Sequence, residues 1–215
     1  MLANRVLFID AEAIVIDKPA GLPVDTPRDG SPSVNGRLDE LAFGFQRLPV
    51  AVHRLDRDTS GCLLLARNPK ALKRFAQAFE NGVVTKRYLA VLDGVPDADS
   101  GTIDLPLAKV SSAATGWRMR GDPAGKPART RWRRIDAGNG RALIAFFPET
   151  GRTHQIRVHA AEGLGIPIMG DPVYGAGGPS MMLHAANLTV PRPGKADVNA
   201  GAPLPPHFAA SGFAP

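Results

Sequence analysis

HRLDRDTSGCLLLARN, His53 to Asn68, sets Arg54, Asp56, Arg57 and Asp58 directly ahead of the apolar run Cys62–Ala66, with Arg67 closing it. A short apolar run bounded by turn residues reads as a buried strand. Gly61 permits a tight exit from the polar turn, and Asp58 and Thr59 suit hydrogen bonds to the local backbone. Two readings fit such crowding of charge. One is a solvated turn before a strand; the other is a site that presents an ionised carboxylate at the end of a rigid strand.

Working outward, VLFIDAEAIVIDKPAG before this stretch gives two short β-rich runs, the second stopped at Lys18-Pro19-Ala20-Gly21. Residues 22–37 read as loop, with a short helix expected over Gly36–Gln46. Downstream, Leu72, Phe75, Ala76 and Phe79 fall at i, i+3, i+4, i+7, which predicts a helix ended by Asn81-Gly82. VVTKRYLAVLDG alternates as a strand with Val84, Lys86, Tyr88, Ala90 and Leu92 on one side. TRWRRI and RALIAFFPE read as paired strands, a helix is expected from near Thr153, and MMLHAANLTV is strand or helix. Strands outnumber helices and the turns suit antiparallel pairing. The expected fold is α+β: a curved, mostly antiparallel mixed sheet flanked by helices and loops. One domain is expected over residues 1–215, with a Pro/Gly-rich tail, about 192–215, packing on its surface.

Composition narrows the functional classes. The chain has 215 residues, 44% hydrophobic and 21% charged, and its length suits a real core. No apolar stretch approaches the roughly 20 residues of a membrane span. The N-terminus carries acids within its apolar part and is not a signal peptide. A single cysteine, Cys62, excludes an internal disulfide and fits a reducing cytoplasm. The net charge of +6 and pI near 9.9 favour a polyanionic partner. WRMRGDPAGKPARTRWRR, Trp117 to Arg134, concentrates that charge, and its arginines and tryptophans suit either phosphate and base contacts or a solvated basic hairpin.

Several chemistries fail on pattern. GDPAGKPA, from Gly121, is one residue short of a phosphate loop and has Pro127 in place of its hydroxyl residue. No GxSxG elbow and no GxGxxG occur. His154 and His159 lack an HExxH frame, so neither metal nor cofactor is expected. Cys62, heading an apolar run, reads as a small hydrophobe. An acid beside arginines remains, and a carboxylate is a competent nucleophile or base if a fixed cation keeps it ionised.

Other motifs keep the opening stretch company. HRLDRDTSG, KRYLAVLDG (Lys86–Gly94), GKPARTRW (Gly125–Trp132), TGRTHQIRVHAAEGLGIPIMGD (Thr150–Asp171) followed by PVYG, and MLHAANL (Met182–Leu188) stand in the order and spacing of the RluA-type pseudouridine synthases. DKPAGLPV, from Asp17, resembles that family's first motif. The resemblance runs from about Val6 to Pro191 and implies the pseudouridine synthase catalytic fold. It also implies cofactor-free isomerisation of uridine in ribosomal or transfer RNA. In that reaction the C1′–N1 bond breaks, the uracil rotates, and it rejoins through C5. Many members carry an N-terminal RNA-binding S4 module; a first motif at Asp17 suggests the short, catalytic-domain-only form.

The resemblance also implies roles. The aspartate of HRLD, Asp56, is the catalytic residue; attack on C1′, attack on C6 and ribose deprotonation stay open as its first act. Arg157 is expected to hold and ionise it. Tyr88 is expected to stack on the target uracil, and Leu183 to pack under it. Extruding the base costs a few kcal/mol, and Arg54 or His53 is positioned to fill the gap, grip backbone or orient the loop. Arg152 is expected on phosphate, Lys18 at the entrance, and Arg129, Arg131, Arg133 and Arg134 along the RNA backbone. Asp58 is expected to shape the turn only. The expected partner is RNA, with no membrane and no obligate protein partner. A competing reading is a non-catalytic RNA-binding or ribosome-assembly module on the same scaffold, against which the trio Asp56, Tyr88 and Arg157 argues.

Overall fold

A computed structural model describes residues 1–112 and 116–213. The chain divides into two compact units: Met1–Lys86 with Ala185–Pro203, and Arg87–His184 with Leu204–Pro215.

In the first unit, β1 (Val6–Ile9), β2 (Ala13–Lys18), β4 (Ser60–Ala66) and β11 (Leu183–Val190, from Ala185 onward) follow one another in the sheet. β3 (Val50–Ala51) adds to β4 and β12 (Val198–Gly201) to β11. Every residue of β4 is buried, as the CLLLA run predicts. Cys62, Leu64 and Ala66 share one face with Phe75 of α1 (Pro69–Glu80), which is fully buried. Asn68 caps α1, its side chain accepting from Ala71 N–H at 2.8 Å, and Pro69 starts it. The predicted apolar stripe is nearly right; Ala71 and Ala78 complete it, whereas Ala76 faces water. The expected helix over 36–46 is instead a tighter 3₁₀ turn, Asn35–Leu41, broken at Arg37.

Gly61 decides how β4 is entered. Its φ is +105°, and a Cβ there would lie 2.3 Å from the Ala185 carbonyl oxygen. Gly61→Ala is expected to cost roughly 1–3 kcal/mol in backbone strain alone, before the clash. A lowered urea midpoint should show it; an unchanged midpoint would mean that β4 and β11 separate without cost.

In the second unit the order is β5 (Thr85–Leu92, from Arg87), β10 (Arg141–Pro148), β9 (Arg129–Gly138), β6 (Ser100–Asp104), with antiparallel neighbours. β7 (Leu107–Ser112) and β8 (Gly116–Gly121) form a separate ribbon. The basic stretch is therefore not one hairpin, since β8 and β9 belong to different sheets. The expected helix from Thr153 is a four-residue α2 (Gln155–Val158) that widens into a π turn over His159–Gly163. MMLHAANLTV resolves as strand β11. The fold is α+β, mostly antiparallel, as expected.

The tail departs from expectation. β12 is a sheet strand, and Arg192 is buried and pairs with Asp10 at 2.6 Å. Phe208, in α3 (Pro206–Ala210), and Phe213 are buried in the second unit's core. Burial of two Phe side chains is worth several kcal/mol, which a surface extension would not supply. Ala214 and Pro215 lie outside the described residues.

Candidate active site

Asp56 stands four residues before β4, half-buried, beside the buried Leu55 that anchors the loop. Thr59 N–H donates to the Asp56 carbonyl at 3.1 Å and closes the turn. Upstream, Val52 N–H donates to Leu64 O at 3.0 Å, and the Leu64 N–H donates to His53 Nε2 at 3.1 Å. The His53 ring stacks on Phe79, with centroids 4.7 Å apart. Burial, with the Lys86 charge adding to it, pushes His53 down to about 3, so the ring is neutral near pH 7. Of the roles expected for His53, these contacts occupy it in orienting the loop.

Lys18 is not at an entrance. Its side chain is fully buried, and its ammonium donates to the carbonyls of Pro19 (2.9 Å), Leu22 (2.7 Å) and Arg57 (2.9 Å). Burial lowers its pKa to about 8 against the opposing charges of Asp58, Asp56 and Asp17. It thus stays protonated at neutral pH, with three donors matched to three acceptors. A buried ammonium with this geometry ties the loop that carries Asp56 to the end of β2. The arginines of the opening stretch disperse: Arg54 pairs with Asp25 (2.8 Å), Arg57 with Asp58 (3.1 Å), and Arg67 donates to Asp10 O (2.8 Å). Cys62 is buried, its thiol pushed up to about 12 mainly by that burial, so it is no nucleophile at neutral pH.

Tyr88, Leu183, Arg152 and Arg157 belong to the second unit. Tyr88 is half-buried on β5, opposite Phe146 of β10, and packs on the core that holds the buried Leu183. Arg157 is buried and makes a fork to Asp171: Nε to Oδ2 at 2.7 Å and Nη2 to Oδ1 at 2.8 Å. Burial would raise the Asp171 pKa, but the bonds and charge of Arg157, with the N–H groups of Val173 and Tyr174, outweigh it and hold the carboxyl below its usual range. The Arg157 guanidinium also lies 5.2 Å from the Tyr174 ring centroid. Gly170, φ +77°, brings Asp171 round where any Cβ would strike Ser180 O at 1.9 Å.

Arg152 is exposed, its Nε donating to Pro127 O at 3.0 Å. The loop that carries it is wired by Gln155, whose Oε1 accepts from Thr150 Oγ1 (2.7 Å) and Arg152 N–H (2.9 Å). Its Nε2 donates to Arg129 O and Thr130 Oγ1.

Along β9 the alternation sends Thr130 and Trp132 inward and Arg129, Arg131 and Arg133 outward. Trp132, 6% exposed, is core and is not available to stack on a base. Arg129 and Arg131 share Glu149, at 3.5 and 3.0 Å, while Arg133 is exposed without a partner among the described residues. Arg134 is committed to the fold, pairing with Asp99 and donating to Pro96 O.

Sequence reasoning assigned no role to Asp171, Tyr174 or Gln155, although all three stood inside the quoted motifs. The available signal was GDPVYG: an Asp whose carboxylate accepts from N–H groups two and three residues on is an Asx turn, a fixed acceptor ready for a cation. Among the described residues no cluster of three or more His, Cys, Asp or Glu is placed to hold a metal ion, and no helix is long and apolar enough to cross a membrane.

The model of the RNA pseudouridylate synthase family matches residues 12–162, and the chain belongs to that family. It is 58% identical over 217 residues, 99% of each chain, to an uncharacterized RNA pseudouridine synthase of Zymomonas mobilis. It is 38% identical to the ribosomal large subunit pseudouridine synthase D of Nitrosomonas europaea, over 87% of this chain and 54% of that one. Human RNA pseudouridylate synthase domain containing 4 superposes with a TM-score of 0.82 at 26% identity, covering 98% of this chain and 92% of that one. The enzyme is an RNA pseudouridine synthase, an isomerase, and the non-catalytic alternative finds no support among these relatives.

Proposed function

We propose that Asp56 carries the reaction on specific uridines of ribosomal or transfer RNA in the bacterial cytoplasm. In this reading Arg157 holds its carboxylate, Tyr88 and Leu183 receive the base, and Arg54 and Arg152 grip the RNA. No cofactor and no obligate protein partner enter this reading. The carrying observation is the loop itself: His53, Lys18 and Gly61 fix its backbone from three sides while Asp56 stays half-exposed at its tip. A preorganised carboxylate loses little on meeting substrate, which is what a nucleophile or base requires. Attack on C1′, attack on C6 and removal of a ribose proton are all within a carboxylate's chemistry.

A ribosomal target draws support from the Nitrosomonas relative's name, and a reducing compartment from the single buried thiol. Arg129, Arg131 and Arg133 offer three outward cations on one sheet face for phosphates. Arg134 and Lys18, with their donors already engaged by the fold, act behind the site rather than on RNA. The test is incubation of the full chain with unmodified total RNA, followed by mapping of pseudouridine through adducts that arrest reverse transcription. New arrests at a small set of uridines are expected; none at any uridine would sink the reading.

A further inference from the structure

The two tryptophans have opposite fates. Trp132 is buried, but Trp117, on β8, keeps 51% of its surface exposed. Pairing in the ribbon sets Ser111 opposite Trp117 and Lys109 opposite Met119, so these four side chains share one face. The Lys109 ammonium lies 5.1 Å from the Trp117 ring centroid, and the His154 ring 5.2 Å away at 31°. His154, held in the left-handed region at φ 54°, is fixed in turn. Met119 N–H donates to Tyr174 Oη at 3.0 Å, and the same Oη is hydrogen-bonded to His154 Nδ1 at 2.9 Å. Tyr174 is the same ring that lies beside Arg157. An indole left in water but held by such a chain is preorganised, and its surroundings are cationic. Lys109, Arg118 and Lys126 are exposed, and Arg118 and Lys126 have no side-chain partner among the described residues.

The geometry points to Trp117 as a stacking platform for an unpaired RNA base other than the reacting uridine, with Lys109 beside it for the adjoining phosphate. This rests on the reading of the chain as an RNA-modifying enzyme. Stacking tolerates any base, since each has a π face, and the exposed Lys109 ammonium, which lies over the ring, can swing off it to the adjoining phosphate. The platform is tied through Tyr174 to the helix that carries Arg157, so a base seated there is registered against that arginine.

The probe is a single-stranded 12-mer of oligoadenylate and its abasic counterpart, titrated against the full chain while tryptophan emission is followed. The base-bearing oligomer is expected to quench emission and shield it from acrylamide; the abasic chain should bind without doing so. In Trp117→Phe the remaining emission, from Trp132, should not respond. Trp117→Ala should bind oligoadenylate about ten-fold more weakly and the abasic chain equally well, with Trp117→Phe restoring most of the loss. Equal quenching by both oligomers in wild type, or equal weakening of both by Trp117→Ala, would make the indole a hairpin anchor and overturn the platform. Pseudouridine formation in total RNA, measured in parallel, keeps the two readings apart. Modification without base-dependent quenching defeats only the platform, and quenching without modification defeats only the enzyme assignment.

Discussion

Asp56→Asn is expected to bind RNA as wild type does and to leave no pseudouridine above background. Asparagine keeps the shape and the turn, because the bond from Thr59 N–H goes to the backbone carbonyl of residue 56, and Lys18 grips the carbonyl of residue 57. Only the carboxylate is lost. For a group on which the chemistry rests, that is on the order of a 10⁴-fold or greater fall in rate. Filter binding should give an unchanged Kd while the reverse-transcription arrests disappear. If the Asn variant modified RNA as fast as wild type, the reaction would run through another acid. Asp58, half-buried two residues on, would be examined first.

Asp171→Ala carries the largest expected stability effect. It strips a buried guanidinium of its fork and leaves the N–H groups of Val173 and Tyr174 without their acceptor. Removing one partner of a buried pair costs about 3–5 kcal/mol, because the remaining charge stays desolvated. Asp171→Asn should recover the part owed to the Asx turn but not the ion pair, and so fall between. Since the Asp171 pKa is lowered by folding, its stabilising contribution is fully present above the ordinary value of 3.8 and fades as pH falls through the lower folded value. The gap between wild type and Asn in urea melts should therefore narrow in strong acid. A gap independent of pH down to that range would mean that the charge on Asp171 contributes nothing. The same two variants should lose activity more steeply than stability if, as proposed, Arg157 serves Asp56.

Local pattern made much of this legible. The Cys62–Ala66 run, most of the α1 stripe with its Asn81-Gly82 end, and the strands β5 and β9 follow from period and turn residues, which act over a few positions. Most of what escaped depends on partners far along the chain. Trp117 and Trp132 look alike within one basic run; only the register of β9 against β10 and β6 sends Trp132 inward. Arg134 reads like its neighbours until Asp99, 35 positions earlier, meets it. Lys18 looks like a strand-end lysine until the Arg57 carbonyl, 39 positions on, arrives at its ammonium. Tail residues rich in Pro and Gly suggest an appendage, yet two phenylalanines among them outweigh composition by burial.

The neighbour that forces a glycine at 61 has a consequence for synthesis. Cys62 and Ala186, whose sulfur and carbonyl meet at 3.7 Å, are 124 positions apart. At roughly 5–20 residues per second, the ribosome takes about 6–25 s to make the stretch between them. Throughout that interval β4 is present without β11, and the buttress behind Gly61 does not yet exist. The unit that carries Asp56 is begun first and completed late, after most of its companion has emerged. A nascent chain thus gains its ordered aspartate loop only after Ala185 and Ala186 have been made.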